Sequence, residues 1–113
     1  MKVDLGKNYD ILNEEVFNNE LPKIKVSWSY TMYDKAAVTV FKREDNYRVP
    51  IEIRLSRPYF MRYPQDFLEV MLHEMIHVRF PMEIGHGKRF KEEVKTIGKK
   101  YDIIIREEIN NED

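Results

Sequence analysis

Hydrophobic positions recur along this chain with two periods, and each change of period falls at a proline, a glycine or a polar run. Leu5, Tyr9, Leu12 and Val16 are spaced as one face of a helix, which predicts an amphipathic helix over 5–19 that ends before Pro22. Ile24, Val26, Trp28 and Tyr30 then alternate with Lys23, Lys25, Ser27 and Ser29, the pattern of a half-buried strand. A second strand, β-branched and apolar, is expected over 36–41. A third is expected over 51–55, where Ile51, Ile53 and Leu55 alternate with Glu52, Arg54 and Ser56. The polar run 42–48 between these two reads as a hairpin connection, and Pro50 suits a strand start or an edge.

After the Arg57-Pro58 break and a linking stretch, Pro64, Gln65 and Asp66 open a helix over 64–79 that Phe80-Pro81 closes. Around it, Phe67, Leu68, Met71, Leu72, Met75 and Val78 form a wide apolar arc with Val70 and Ile76 at its margins, so the helix is expected to be largely buried. Gly85-His86-Gly87 turns the chain into a third helix with the stripe Phe90, Val94, Ile97 and Tyr101. Ile103–Ile105 reads as a short final strand, and 107–113 as an acidic, frayed tail after a single domain over 1–106.

Composition narrows the chemistry. A chain of 113 residues supports one modest core, and 42% hydrophobic with 35% charged residues is ordinary for a globular protein. Nineteen basic against twenty acidic residues leave a net charge of -1, so no global field draws the chain to nucleic acid or an anionic membrane. Any such binding must rest on a local patch. Lys88, Lys91, Lys95 and Lys99 form a stripe on the third helix, and Tyr59 and Tyr63 lie near Arg57 and Arg62. The stripe reads first as a solvated face, since Glu92 interrupts it, and second as a contact that makes DNA a candidate partner. The absence of cysteine removes disulfides, thiolate nucleophiles and cysteine-based zinc sites. No apolar leader and no run of membrane-spanning length occur, which points to a cytoplasmic protein with no membrane partner.

The candidate chemistry lies in His73-Glu74-Met75-Ile76-His77. Two histidines four residues apart stand one above the other on a helix and can reach one ion, while Glu74 sits about a quarter turn away. That is the two-histidine half of a zinc hydrolase site, with the glutamate as general base for an activated water. Glu74 lies off the polar strip of Asp66, Glu69, His73 and His77, among Phe67, Val70 and Val78, where an unpaired carboxylate is costly. It therefore either pairs with an arginine such as Arg54 or Arg79, or faces a metal site across a cleft. All three histidines fall between His73 and His86, a clustering that favours the metal site. His86 is the leading third ligand because Gly85 and Gly87 let the backbone turn sharply, with Glu83, Glu92 and Glu93 as its competitors. The longer motif with a third histidine six residues after the second is excluded, because it needs glycine at Phe80 and histidine at Glu83.

Phe17-Asn18-Asn19-Glu20-Leu21-Pro22, Val26-Ser27-Trp28-Ser29, Ile53-Arg54-Leu55-Ser56, His73-Glu74-Met75-Ile76-His77 and Gly85-His86-Gly87-Lys88-Arg89-Phe90 occur in this order over most of the chain. Together they make it resemble the SprT-like zinc metalloproteases, the family of the bacterial SprT proteins and the protease domain of Spartan. The Gly-His-Gly-x-x-Phe piece is the most specific of them. The resemblance implies an α+β, zincin-like domain. Its small antiparallel or mixed sheet of about three strands would pack against a buried active-site helix and two further helices. It implies Zn2+ on His73, His77 and His86, Glu74 as catalytic base, and Phe90 as a core residue placing the ligand turn. The chain departs from Spartan in its short segment between His77 and Gly85 and in having no cysteine-rich ribbon.

The expected activity is hydrolysis of peptide bonds in a protein or peptide substrate, including DNA-associated proteins. An extended substrate would pair with an exposed strand, for which 51–55 is the candidate beside its reading as a plain sheet member, and the oxyanion candidates are Tyr101 and an arginine such as Arg54, between which spacing does not choose. The rival readings are a noncatalytic zinc-containing binding module and a zinc hydrolase of a non-peptide amide or ester.

Overall fold

Asp4 starts the first helix, α1 (Leu5–Phe17), by accepting the Lys7 amide at 3.0 Å. Leu5, Tyr9, Asn13 and Phe17 form its buried face. Asn18 and Asn19, both left-handed at φ 54 and 59, stop the helix and turn the chain back. Asn13 then clamps Leu21 from both sides, donating to its carbonyl at 3.0 Å and accepting its amide at 3.1 Å. The remaining elements are β1 (Lys25–Ser29), β2 (Ala37–Glu44), β3 (Tyr47–Ser56), α2 (Arg57–Arg62), α3 (Phe67–Arg79) and α4 (Lys88–Tyr101), with a 3-10 turn at Pro64–Asp66 leading into α3. This is an α+β domain, seen in a computed structural model that describes residues 3–108.

The sheet has the order β1-β3-β2, with β1 parallel and β2 antiparallel to β3. Two expectations change here. The run 42–48 is mostly paired strand rather than connection: Lys42 faces Val49, Arg43 faces Arg48, Glu44 faces Tyr47, and left-handed Asp45 starts the tight turn. Its polarity reflects a hairpin that projects beyond the core, because strand pairing satisfies the backbone whether or not the side chains are buried. Residues 51–55 are not an exposed edge, since β3 is hydrogen-bonded on both sides. Pro50 is accommodated at a bulge, where the partners step from Val40–Glu52 to Phe41–Pro50 and leave Ile51 unpaired.

Ser56 ends β3 and caps α2, accepting the Tyr59 amide at 3.1 Å while its hydroxyl donates to the Met32 carbonyl at 2.6 Å. The expected linking stretch is therefore a short helix, which buries Tyr59 and Phe60. Trp28 and Phe67 each meet Phe60 edge to face and are tilted against one another. α3 runs through the core with Val70, Met71, Leu72, Met75, Ile76 and Val78 buried, whereas Leu68 points to solvent. α4 buries Phe90 and Ile97, and its Tyr101 hydroxyl donates to the Glu15 carbonyl of α1 at 3.0 Å. Ile103–Ile105 forms no strand: Ile105 is buried and Ile104 exposed, so the apolar run is a strap that folds back towards α3. Of the expected tail, 109–113 lie outside the described residues. No helix of the described residues is long and apolar enough to cross a membrane.

Glu52 ties β1 to β3, accepting from Ser27 Oγ at 2.6 Å and Arg54 Nε at 3.1 Å. The Ser27 hydrogen bond, helped by Arg54 and Lys25, holds its carboxyl below the ordinary value against the opposing effect of burial. A depressed pKa contributes stability above the unfolded carboxylate pKa of about 4.3 and loses it as pH falls further. Glu52→Gln is expected to cost about 1 kcal/mol at pH 7. The gap between the two urea-unfolding curves should close as pH is lowered below that point.

Candidate metal centre

His73 and His77 lie one turn apart on α3, and the loop before α4 brings His86 to them. A ligand nitrogen from each ring lies within 4.8 Å of the other two, so one metal ion can be shared by all three. The rings rest on a common support, with the Phe90 centroid 5.0 Å from His73 and 4.6 Å from both His77 and His86. Phe90 is 1% exposed, so it fixes the floor of the site by packing alone.

The two glycines beside His86 serve different purposes. Gly85 has φ 70, the left-handed conformation that glycine adopts without strain. Gly87 makes room for a neighbour, since a Cβ there would stand 2.5 Å from the side chain of Glu83. Glu83 in turn accepts the amides of Phe90 at 2.9 Å and Arg89 at 3.4 Å, supplying a carboxylate to the start of α4. Its oxygens are thus spent on the helix, Glu93 pairs with Arg79 at 3.2 Å, and Glu92 is exposed on α4, so the three carboxylate competitors of His86 are engaged elsewhere or face solvent.

His73 Nδ1 donates to the Arg106 carbonyl at 2.9 Å, which leaves Nε2 as the nitrogen with a free lone pair. Burial pushes the His73 pKa down, and burial with the neighbouring imidazoles takes that of His77 to about 3. Neutral rings are the form that ligates a metal, so the donor set fits one. Glu74 is 6% exposed and accepts from Thr39 Oγ1 at 2.8 Å. Burial raises its pKa to about 7 against the opposing Thr39 bond. Its 3.7 Å approach to His73 Nε2 is too long for a hydrogen bond. The alternative arginine pairings do not form: Arg54 binds Glu52, and Arg79 binds Glu20 at 2.7 Å.

These groups open onto a cleft of about 540 Å³ whose walls include Ala37, Thr39 and Phe41 of β2, Arg48 of β3, and Glu107 after α4. Neither expected oxyanion residue lines it, because Tyr101 is bound to α1 and Arg54 to Glu52. Lys88, Lys91, Lys95 and Lys99 are exposed on α4 outside the cleft, with Lys91 3.9 Å from Glu107. Tyr59 is buried with its hydroxyl on Asp66 at 2.6 Å, so it offers no free stacking face.

Two participants have no signal in the sequence. Thr39 reads as one more β-branched strand residue, and Arg106 simply follows the last helix. Arg106 clips the returning strap to α3: its Nε and Nη2 donate to Glu69 at 2.8 and 3.1 Å, and Nη2 also donates to Asp66 at 3.1 Å. Because that grip presents the carbonyl holding His73, Arg106→Ala is expected to weaken metal binding about 10-fold, read by competition with a chromogenic chelator.

Residues 5–111 match the model of the SprT-like family. Over 88 residues the chain is 32% identical to a DNA-dependent metalloprotease, dvc-1, of Caenorhabditis elegans, an alignment that covers 72% of this chain and 24% of that protein. The chain thus corresponds to a fraction of that relative's length. A match running from α1 past the end of α4, together with a metalloprotease relative, makes this chain a member of the SprT-like family.

Proposed function

We propose that the chain is a zinc-dependent metallopeptidase in which His73, His77 and His86 hold the ion and Glu74 is the general base. The observation that carries this reading is a buried carboxyl beside three convergent imidazoles, at the edge of an open cleft. A zinc ion bound there supplies Lewis-acid activation of water and of the substrate carbonyl. The side chain of Glu74 takes the proton of the attacking water and returns it to the leaving amine, a task suited to a group that titrates near neutrality. Thr39 orients that carboxylate by occupying Oε1, which leaves Oε2 for the proton. Through its carbonyl, Arg106 holds the tautomer of His73.

Substrate pairing falls to β2 in place of 51–55. β2 is an outer strand of the sheet, and residues 36–39 line the cleft, so an extended peptide can add to its free edge. Main-chain pairing of this kind suits protein substrates of varied sequence. The relative's dependence on DNA, with four lysines exposed along α4, extends the proposal to DNA-associated protein substrates held near the cleft.

Glu74→Gln should retain about one zinc per chain while cleavage of an unfolded protein falls by at least ~100-fold. Equal activity in both chains would remove Glu74 from the mechanism, and absence of stoichiometric metal in the native chain would remove the site. Single-stranded DNA is expected to bind the native chain with an affinity that falls as salt rises, and Lys91→Glu with Lys95→Glu should abolish it. Fluorescence anisotropy at low salt decides this, since no binding by the native chain ends the role of the lysine stripe.

A further inference from the structure

Among the described residues, the one buried side-chain nitrogen or oxygen without a hydrogen-bond partner is Nη1 of Arg48. This residue lines the same cleft as His77, Gly85 and His86. Its guanidinium carbon lies 4.1 Å from the centroid of the Phe41 ring, and its backbone amide donates to Met82 Sδ at 3.4 Å. The guanidinium is therefore seated on Phe41, and the backbone that carries it is tied to Met82, before any ligand arrives. No carboxylate of the described residues forms an ion pair with it. Of the five acids lining the cleft, Glu74 is held by Thr39, Glu83 by the amides of α4, Glu107 lies near Lys91, and Asp34 and Glu108 form no ion pair with Arg48.

A half-buried guanidinium with an unpaired nitrogen is costly unless a partner of opposite charge reaches it. An acceptor that enters the cleft at Arg48 meets this guanidinium, whose covered Nη1 lacks a partner. A planar, preorganised fork is matched by a carboxylate, which accepts two parallel N–H bonds. Resting on the peptidase reading above, we propose that Arg48 forms an acid-binding subsite that takes a carboxylate side chain of the substrate near the scissile bond. The subsite gives the cleft a preference for acidic sequence that main-chain pairing on β2 cannot provide.

The test uses the zinc-loaded Glu74→Gln chain, so that binding is read without turnover. Paired peptides differing only by Glu or Gln, with the exchange moved through each position in turn, are titrated by fluorescence anisotropy. The expected result is one position at which the Glu peptide binds about 10-fold tighter. Adding Arg48→Ala or the near-isosteric Arg48→Gln should erase that ratio while leaving the Gln peptide within about 2-fold. Arg48→Lys should restore part of it. The urea midpoint and zinc content of each variant report folding, and Arg48→Gln carries the test if Arg48→Ala unfolds.

The proposal is overturned if no position shows a preference, or if the preference survives loss of Arg48. In the cleavage-competent chain, an equal fall in kcat on both peptides assigns Arg48 to the oxyanion instead and also overturns it. So does a loss confined to oligonucleotide binding. Should the native chain cleave nothing, the peptidase reading fails, whereas the charge preference is still measured in the Glu74→Gln chain.

Discussion

Polar groups buried in an otherwise apolar helix set the terms for the rest of this structure. α3 carries His73 and Glu74, each 6% exposed, between Met71, Leu72, Met75 and Ile76. An unpaired polar atom at such depth costs on the order of 1–3 kcal/mol, more for a charge. Each is met by a partner from elsewhere in the chain: Thr39 of β2 reaches Glu74 across 35 residues, and the Arg106 carbonyl reaches His73 across 33. The sheet, the metal helix and the returning strap are held in register by these satisfactions as much as by apolar packing.

The same economy shapes the loop that carries His86. Glu83 supplies a carboxylate to the start of α4, Gly87 vacates the space its side chain needs, and Gly85 takes the left-handed turn that aims the imidazole. Phe90, whose amide Glu83 accepts, is the ring on which all three histidines lie. Helix start, ligand turn and site floor are one mechanical unit. A change at Glu83 or Gly87 thus reaches the imidazoles through Phe90.

The sheet order decides how the cleft can meet a chain-like substrate. Parallel pairing of β1 with β3 seals the strand that carries Glu52 and Arg54 and leaves β2 as the outer strand beside the metal site. β2 then has two duties, holding Glu74 through Thr39 and lining the cleft with a free backbone edge. The projecting hairpin brings a fixed cation, Arg48, to the same cleft.

What the sequence alone determined is whatever depends on neighbours along the chain. The helical stripes apart from Leu68, the i, i+4 pairing of His73 with His77, the burial of Glu74 and the glycine-flanked His86 follow from a periodicity or a local backbone need and are recovered in the fold, whereas His73, expected on the polar strip, is as buried as Glu74. Polarity over 42–48 misled, because it reports exposure to solvent and says nothing of strand pairing. Only the tertiary structure could make β3 central, turn Ile103–Ile105 into a strap, engage Tyr101 with α1, and bring Thr39, Arg48 and Arg106 to the site. Those outcomes join residues tens of positions apart, and a hydrogen bond across such a separation leaves no period in the sequence to read.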